Sequence, residues 1–389
     1  MRVGVLLGNL DPAAGGGYTF QSDIFDALLA IGEQSRHFFV LLCHPDTAAK
    51  LPRKLLSNAE VVALDIEQAT PGGLFARSKP VSKPRSLEEQ LRAAHVDFVW
   101  QFGALGQVLD TPYMVVVWDL QHRLQPWFPE VSANGNWQHR ENIYSSVLGR
   151  AAAIIVGTEA GRAEVERFFR VDPSRILIMP HPTPRFASAA VETKSPVRER
   201  YGLSGDYLFY PAQFWAHKNH VNLLLALQLL RNQYGKQFHV ALVGADHGNL
   251  GHVRSMTERL GLSDRVHFLG FVPRDDLADL YREAFALSYV TFFGPENLPP
   301  LEAFALGCPV IASEVSGARE QLQDAVLLVD PSSPEKIAEA VIRLESEVGL
   351  RQQLIDAGRK IALGRTPEGF VSEALAFLDR FEAVRRCWA

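Results

Sequence analysis

The sequence contains few cysteines and no long apolar run. Its three cysteines, Cys43, Cys308 and Cys387, have no spacing typical of a metal site, and their odd number fits a reducing compartment. No apolar run approaches the roughly 18 residues that a membrane-spanning helix requires. The apolar run at residues 3–7 is too short for the core of a signal peptide and is better interpreted as a strand. We therefore expect a cytoplasmic protein.

Three further absences narrow the range of functions. The glycine run within residues 8–17 lacks the G-x-G-x-x-G spacing of a dinucleotide-binding turn, which argues against a nicotinamide dehydrogenase. No convincing Asp-x-Asp pair is present to hold a divalent ion, because Asp275 and Asp276 are better placed to start a helix. The net charge of −5 argues against a general nucleic-acid-binding protein. We therefore predict neither a metal site nor a nucleic-acid partner.

The length and the apolar pattern predict two α/β domains. A chain of 389 residues exceeds what one hydrophobic core usually organises. Strand-like runs alternate with helix-like segments in both halves, which predicts parallel, doubly wound sheets. The predicted strands are residues 3–7, 38–43, 61–64, 96–100, 114–118, 152–156, 207–210, 239–243, 266–269, 286–290, 309–312 and 325–329. With a proline-rich linker at 180–204, we place Rossmann-like domains at 1–183 and 184–369, facing each other across a cleft.

One stretch interrupts this pattern. Residues 71–85 combine proline and glycine with four basic side chains, Arg77, Lys79, Lys83 and Arg85. The stretch is interpreted either as a solvated insertion or as a surface that contacts an anionic acceptor or membrane lipid. The second interpretation would place the protein at the inner face of the membrane.

The most informative segment is F-G-P-E-N-L-P-P-L-E at residues 293–302. Two prolines fit the first turn of a helix, whose amide protons have no intrahelical acceptor, and Gly307 provides a left-handed cap at its end. A helix start offers backbone N–H groups and a positive dipole end, which together bind anions. Glu302 is expected in the same first turn, where its carboxylate can accept hydrogen bonds from hydroxyl groups. The segment therefore predicts a phosphate site with an acid for a sugar diol.

This segment resembles the nucleotide-sugar-binding element of the retaining family-4 glycosyltransferases (glycosyl transferase group 1), which have the GT-B fold. That family usually carries E-G-F-G-L-P-P-L-E, and residues 298–302 match its second half. Gly294 stands at the position of the first glutamate, and Glu296 lies two residues later. The resemblance implies that the donor is bound by this segment, through Glu296, Asn297, Leu298 and Glu302. It also implies that the last helix, residues 370–389, packs back on the first domain.

Other loops extend the resemblance on the donor side. Gly15, Gly16 and Gly17 resemble the glycine-rich loop that closes over the donor diphosphate in this family. Lys218 and Asn219 match the end of the family's G-R-x-x-x-x-K-N pattern, whereas Gln213 stands where an arginine is common. The resemblance also implies donor contacts at Gly244 and Val272, the latter in an element whose backbone reads the base. A lysine at 218 can place its ammonium on the diphosphate, with charge-assisted hydrogen bonds worth about 1.5–3 kcal/mol.

The acceptor side is predicted from one loop. Asp119 and Leu120 match an H-D-L pattern that is common in the family, with Trp118 in place of its histidine. His122 follows in the same loop, and an Asp–His pair can act as a general base or an orienting unit. The alternative is a structural pair whose aspartate caps local backbone, and the sequence leaves both open. The predicted catalytic residues are thus Asp119, His122 and Lys218.

The resemblance implies retaining, metal-independent sugar transfer without a cofactor. The donor would be a nucleotide sugar such as GDP-mannose or a UDP-sugar, and the acceptor a hydroxyl of a glycan or a lipid-linked glycan, as in polysaccharide biosynthesis. A nucleotide-sugar epimerase or hydrolase would use the same donor cleft, and a non-catalytic protein could also bind sugar nucleotides there. A two-lobed solute-binding protein is disfavoured because no signal peptide is apparent.

Overall fold

The computed structural model describes residues 1–8, 15–49, 51, 56–65, 86–103, 105–189 and 196–388. The basic stretch at 71–85 lies outside these residues. Within them the chain forms two parallel sheets, one from each half.

The first half forms a seven-stranded sheet with the order β3-β2-β1-β4-β5-β6-β7 over the residues that the structure describes. Its strands are β1 Arg2–Leu6, β2 Phe38–Cys43, β3 Ala59–Ala63, β4 Phe98–Gln101, β5 Tyr113–Val116, β6 Ala153–Val156 and β7 Ile176–Ile178. All six neighbouring pairs run parallel. Parallel strands need a crossover connection, and helices supply most of these connections here.

The helices of the first half lie between its strands. They are α1 Gly16–Ile31, α2 Pro45–Ala48, α3 Leu87–Ala93, α4 Gln121–Leu124, α5 Pro129–Ser132, α6 Asn136–Val147 and α7 Glu159–Phe169. Short 3₁₀ turns occur at Gly32–Gln34, Ala133–Gly135 and Pro173–Arg175. Two short helices, α8 Arg185–Ser188 and α9 Val197–Arg200, lie within the predicted linker.

The second half forms a six-stranded parallel sheet in the order β10-β9-β8-β11-β12-β13. Its strands are β8 Tyr207–Pro211, β9 His239–Val243, β10 Val266–Gly270, β11 Ala286–Tyr289, β12 Val310–Ser313 and β13 Val326–Val329. The helices are α10 His220–Asn232, α11 Leu250–Arg259, α12 Arg274–Glu283, α13 Leu298–Leu306, α14 Ala318–Leu322, α15 Pro334–Ser346 and α16 Leu350–Gly364, with a 3₁₀ turn at Ala216–Lys218 before α10.

The final helix, α17 Pro367–Arg385, packs on the first domain. Phe370, Val371, Ala374 and Leu378 are buried in the core that covers one face of the first sheet. The ring of Phe370 meets that of Phe20 in α1 edge to face, with centroids 5.4 Å apart. Because this apolar face is removed from water by the other half of the chain, α17 ties the two halves together.

The structure confirms the predicted α/β fold with two Rossmann-like sheets. Each predicted strand overlaps an observed strand, and Asp275 and Asp276 do lie in the first turn of α12. The three-residue strand Ile176–Ile178 was not predicted, because its run is too short to give a period. None of the helices in the described ranges has the length and apolar character that crossing a membrane requires.

Candidate active site between the two domains

The candidate site lies where the strand order of each sheet reverses. In an open parallel sheet, ligands bind outside the carboxyl ends of the strands at this switch point. In the second sheet the switch lies between β8 and β11. The loop after β8 carries Lys218, and the loop after β11 carries Gly294 and Asn297. In the first sheet β1 is one of the two switch strands, and the glycines at 15–17 follow it.

Lys218 is held in a chain of polar contacts from these two loops. Its Nζ donates to the hydroxyl of Tyr289 over 2.9 Å, and that hydroxyl lies 3.2 Å from Oδ1 of Asn297. Asn219 adopts a left-handed conformation (φ 58°), which asparagine tolerates better than most residues, and it caps α10. This turn ends the 3₁₀ segment and leaves the half-buried Lys218 beside the start of α13.

The start of α13 differs in detail from the expectation. Asn297 is the N-cap residue, and its backbone N–H donates to Oε1 of Gln321 over 3.0 Å. The prolines at 299 and 300 occupy the first turn as predicted but carry no N–H. The amide of Leu298 is therefore the donor that remains at this helix start without a partner among the described residues. Because the partial positive charge of a helix start resides largely on its free N–H groups, the two prolines reduce it, and the Leu298 N–H is the group that this helix start offers to an anion.

The glycines of the first domain face this helix start across the cleft. A Cβ atom on Gly16 would lie 3.6 Å from the Leu298 side chain, and one on Gly15 would lie 3.1 Å from Nε2 of Gln213. At Gly17 a Cβ would lie only 2.9 Å from the ring of Trp118, so a side chain there would displace the indole. The starts of α1 and α13 thus lie on opposite sides of the cleft, and both direct positive dipole ends into it. Residues 9–14 of the same loop lie outside the described residues.

Glu302 lies one turn further along α13 than expected. It falls in the second turn of the helix, so the expectation of a first-turn acid was wrong. Glu302 is 8% exposed, and its Oε2 accepts a hydrogen bond of 2.6 Å from the hydroxyl of Tyr281. Burial raises the pKa of Glu302 to about 7, and the charge of Asp23 in α1 acts in the same direction, while Tyr281 and Arg274 lower it. Burial likewise raises the pKa of Asp23 to about 6.

Gly244 and Val272 lie at the carboxyl ends of β9 and β10. A Cβ atom on Gly244 would lie 2.3 Å from the carbonyl oxygen of Ala212, so the loops after β8 and β9 pack too closely for any side chain. Val272 is buried, whereas the neighbouring Phe271 is 84% exposed. Their contact with a donor stays a prediction.

The structure explains why Gly294 stands where the family has a glutamate, and it shows that the nearby Glu296 side chain is engaged in other contacts. Gly294 has φ 122°, and a Cβ atom there would lie 2.7 Å from Oδ1 of Asn297, so the backbone of this turn favours glycine. The Glu296 side chain is only 3% exposed and accepts from the backbone N–H of His181 over 2.9 Å. It also fills the space over Gly157, where a Cβ atom would overlap the carboxylate. Glu296 therefore contacts the first domain and the linker, and its predicted donor contact stays untested.

The structure does not form the expected Asp119–His122 unit. Asp119 accepts from the backbone N–H of Gln121 over 2.9 Å and pairs with Arg140 at 2.5 Å. His122 is fully buried in the first domain, with Nε2 3.3 Å from Oε2 of Glu141. Burial lowers the pKa of His122, so its imidazole is neutral near pH 7. The predicted pairing of His122 with Asp119 was wrong, because α4 turns the His122 side chain toward Glu141 in α6.

The sequence did not predict a contact between the two domains that lies beside Lys218. Glu130 in α5 accepts from the backbone N–H of His217 over 2.8 Å and also contacts its Nδ1. The His217 ring stacks on Phe293 with centroids 3.9 Å apart, and burial lowers its pKa to about 4. No local pattern marks such a pair, since its members lie far apart in the sequence. Among the described residues, no group of three or more His, Cys, Asp or Glu side chains is arranged to hold a metal ion.

The second domain matches a known family. Residues 196–361 match the family described as Glycosyl transferases group 1, and this range includes Lys218, Asn297 and Glu302. The predicted resemblance to this family is therefore confirmed over these residues, which make up less than half of the chain.

Curated relatives agree with this match over part of their length. The chain is 27% identical over 243 residues to an O-antigen chain mannosyltransferase B from Escherichia coli, covering 61% of each chain. It is 29% identical over 222 residues to a D-inositol 3-phosphate glycosyltransferase from Streptomyces bingchenggensis, covering 54% of this chain and 48% of that one. The chain thus spans about half to three fifths of the length of these two relatives.

Solved structures show the same fold over nearly the whole chain. A sucrose-phosphate synthase from Thermosynechococcus elongatus superposes with a TM-score of 0.73 at 19% identity, covering 99% of this chain and 100% of that one. The Anabaena protein HepE in complex with UDP-glucose superposes with a TM-score of 0.70 at 17% identity, covering 97% and 99%. The two parallel α/β domains and these neighbours define a GT-B fold.

Proposed function

We propose that this protein transfers a sugar from a nucleotide-sugar donor to a hydroxyl group of a glycan or lipid-linked acceptor, with retention of anomeric configuration. The observation that carries the proposal is the convergence of Lys218 with the starts of α1 and α13 in one cleft. A cation and two helix N-termini on facing domains form a site for a diphosphate. The family match of residues 196–361 supports sugar transfer as the reaction at this anion site.

The donor would lie along the second domain. Its diphosphate would contact Lys218, the Leu298 amide and the glycines at 15–17, and its ribose diol would contact Glu302. The names of the relatives and neighbours, a mannosyltransferase and a UDP-glucose complex, support GDP-mannose or a UDP-sugar as the donor. A glycan acceptor would enter from the first domain, and the O-antigen relative supports a role in polysaccharide biosynthesis.

The proposed chemistry relies on groups of the protein that are preorganised around the leaving group. The bond between the anomeric carbon and the phosphate oxygen breaks, and its electron pair leaves on the nucleoside diphosphate. Lys218 and the two helix starts stabilise that developing negative charge. In a front-face attack, the acceptor oxygen bonds to the anomeric carbon on the side of the leaving group. A phosphate oxygen of the leaving group takes the acceptor proton and so acts as the base. Because the acceptor attacks the anomeric carbon directly, no carboxylate nucleophile is required.

A labelled-donor assay tests this proposal against its alternatives. GDP-mannose and UDP-glucose, each labelled in the sugar, would be incubated with the protein and a panel of glycan and lipid-linked acceptors. We expect the label in an acceptor product. Label that appears only in free sugar indicates a hydrolase, and label in an altered nucleotide sugar indicates an epimerase. If the protein binds a donor but no label is released or transferred with any acceptor of the panel, the proposal that it is an enzyme is contradicted.

We expect transfer to continue in excess EDTA. The proposed charge stabilisation uses an ammonium group and helix dipoles, so removal of divalent ions should leave the rate within about twofold of its starting value. Initial rates with EDTA, and with Mg²⁺ or Mn²⁺ added back, provide the comparison. Loss of activity on chelation and its recovery with metal would show that an ion supplies the charge that we assign to Lys218.

We expect Glu302→Gln to stabilise the unliganded protein at pH 8. Burial raises the pKa of Glu302 in the folded protein to about 7, whereas the ordinary pKa of a glutamic acid is 4.5. Between these two pH values the folded carboxyl keeps a proton that the unfolded carboxyl loses. The carboxyl therefore favours folding below pH 4.5, and this contribution is lost as the pH rises through about 7. A glutamine avoids that loss and can still accept the Tyr281 hydrogen bond. The free energy of unfolding should exceed that of wild type by about 1–3 kcal/mol at pH 8 and by little at pH 5.

The same variant tests the ribose contact. If Glu302 binds the ribose diol, Glu302→Gln weakens the binding of GDP or UDP more than that of inorganic pyrophosphate, and calorimetry measures both. Equal losses for nucleotide and pyrophosphate would assign Glu302 to the phosphates or to the helix instead.

A further inference from the structure

A second part of the cleft lies beyond the diphosphate site. A cavity of about 500 Å³ is formed by the loop after β5 and helix α7 of the first domain, and by the loops after β11 and β12 of the second. Its polar and cleft-defining residues are Gln121, Gln125, Glu164, Arg167, Gly294 and Ser316. The volume lies within the roughly 300–1,000 Å³ range of small-molecule sites.

The loop after β11 places no carboxylate in this cavity. Gly294 lines it, but its positive φ and the nearby Asn297 side chain favour glycine at that position. The next acid, Glu296, is directed away to the backbone of His181 and to Gly157. A ligand in the cavity therefore meets the backbone of this loop rather than an acidic side chain.

The first domain places a carboxylate there instead. Glu164 lies on α7, lines the cavity, and accepts a hydrogen bond of 3.3 Å from Oγ of Ser316 across the domain boundary. Helix α7 is fixed against the second domain at its start, where Glu320 accepts from the backbone N–H groups of Glu159 and Ala160. Burial raises the pKa of Glu164 to about 7, with a smaller contribution from the charge of Asp119. Near neutrality this carboxyl can therefore both accept and donate hydrogen bonds.

Two amides complete the polar lining. Gln121 is 3% exposed, and its Oε1 is buried without a hydrogen-bond partner among the described residues. Buried polar atoms are nearly always paired, so this oxygen points to a ligand donor that the unliganded chain lacks. The side-chain nitrogen of Gln125 donates to the carbonyl of Phe292 over 3.0 Å, which fixes this amide at the cavity wall. A carboxyl, two amides and a hydroxyl together match the hydroxyl groups of a sugar ring.

We propose that the carboxyl group of Glu164 binds the hydroxyl groups of a sugar ring in this cavity, and that Oε1 of Gln121 accepts a hydrogen bond from another hydroxyl group of the same ring. The inference rests on the proposed function and adds one residue of the first domain to its site. The sugar belongs either to the donor or to the acceptor, since both must meet in this cleft, and the test below separates them.

The test compares Glu164→Ala and Glu164→Gln with wild type. Calorimetry measures the affinities for UDP-glucose and GDP-mannose and for UDP and GDP, and the transfer assay gives the KM for the acceptor. Glu166→Ala is the matched control, because Glu166 lies on the same helix but pairs with Arg162 and does not line the cavity. Thermal unfolding checks that each variant is folded.

If the cavity holds the donor sugar, Glu164→Ala binds the nucleotide sugar about 10-fold more weakly and the free nucleoside diphosphate as wild type does. If it holds the acceptor sugar, both donor affinities are unchanged and the acceptor KM rises about 10-fold. In either case Glu164→Gln shows a smaller effect, since an amide still bonds to hydroxyl groups. Constants within twofold of wild type, or equal losses for UDP-glucose and UDP, overturn the inference. If wild type binds no nucleotide, the proposed function itself fails.

Discussion

The Lys218→Ala variant should transfer sugar at least about 10-fold more slowly than wild type. The substitution removes one charge-assisted contact with the leaving diphosphate, worth about 1.5–3 kcal/mol in the transition state. It should leave the fold intact, because the side chain contributes one hydrogen bond, to the hydroxyl of Tyr289, and the other hydrogen bonds of this residue come from its backbone. Its carbonyl accepts from the hydroxyl of Tyr210, and its N–H donates to the carbonyl of Trp215. The value of kcat/KM for the donor measures the effect, because it includes both weaker binding and slower transfer.

A second lysine provides the control for this variant. Lys236 lies in the same domain and pairs with Glu345 at the surface. Lys236→Ala removes the same charge far from the proposed cleft loops, so its transfer rate should equal that of wild type. A folded Lys218→Ala protein with near-wild-type turnover would remove this lysine from the phosphate site.

The Asp119→Ala variant should lose about 100-fold or more in transfer while it binds the donor almost as wild type does. This size is typical of a group that positions a proton transfer, and Asp119 would orient the acceptor hydroxyl whose proton passes to the leaving phosphate. Asp119 also fixes the turn that carries Gln121 and pairs with Arg140, and both contacts lie in the first domain. Its loss should therefore disturb the proposed acceptor side more than the donor site. Donor affinity by calorimetry and transfer rate are measured on the same preparation.

Asp119→Asn separates the two roles of this aspartate. An asparagine oxygen can still accept from the Gln121 N–H and from Arg140, but it cannot take a proton near neutral pH. If Asp119 rather than the leaving phosphate accepts the proton, the Asn variant is as slow as the Ala variant. A nearly wild-type rate for Asp119→Asn would leave Asp119 as a backbone cap alone, and a parallel collapse of donor affinity would place it in the donor site or the fold.

The alternation of apolar runs predicted most of the fold, because a parallel strand buried on both faces is itself an apolar run. The second sheet shows this most clearly. The apolar run at 239–243 predicted a buried strand, and β9 occupies these residues with Val240 and Val243 in the core. The C-terminal cap of α13 was also predictable, since Gly307 has φ 73°. Strand β7 was missed because three residues cannot show a period.

The features that sequence could not predict depend on side-chain direction. A spacing argument placed His122 in the loop after β5, but only the packing of α4 on α6 shows that its ring is buried. Glu302 lay one turn from its expected position because the N-cap is Asn297, which leaves four residues between the cap and the acid. Glu130 and Glu164 each contact the second domain, and no local sequence pattern marks such contacts.

The most direct test of the account is a binding titration on wild type and Lys218→Ala. UDP, GDP, UDP-glucose and GDP-mannose are each titrated by calorimetry without divalent ions. The account predicts that wild type binds at least one of two sets, UDP with UDP-glucose or GDP with GDP-mannose. Both ligands of that set should bind Lys218→Ala at least about 10-fold more weakly. Wild-type protein that binds none of the four, or a Lys218→Ala variant with unchanged affinity, would contradict the claim that this cleft holds a nucleotide-sugar diphosphate.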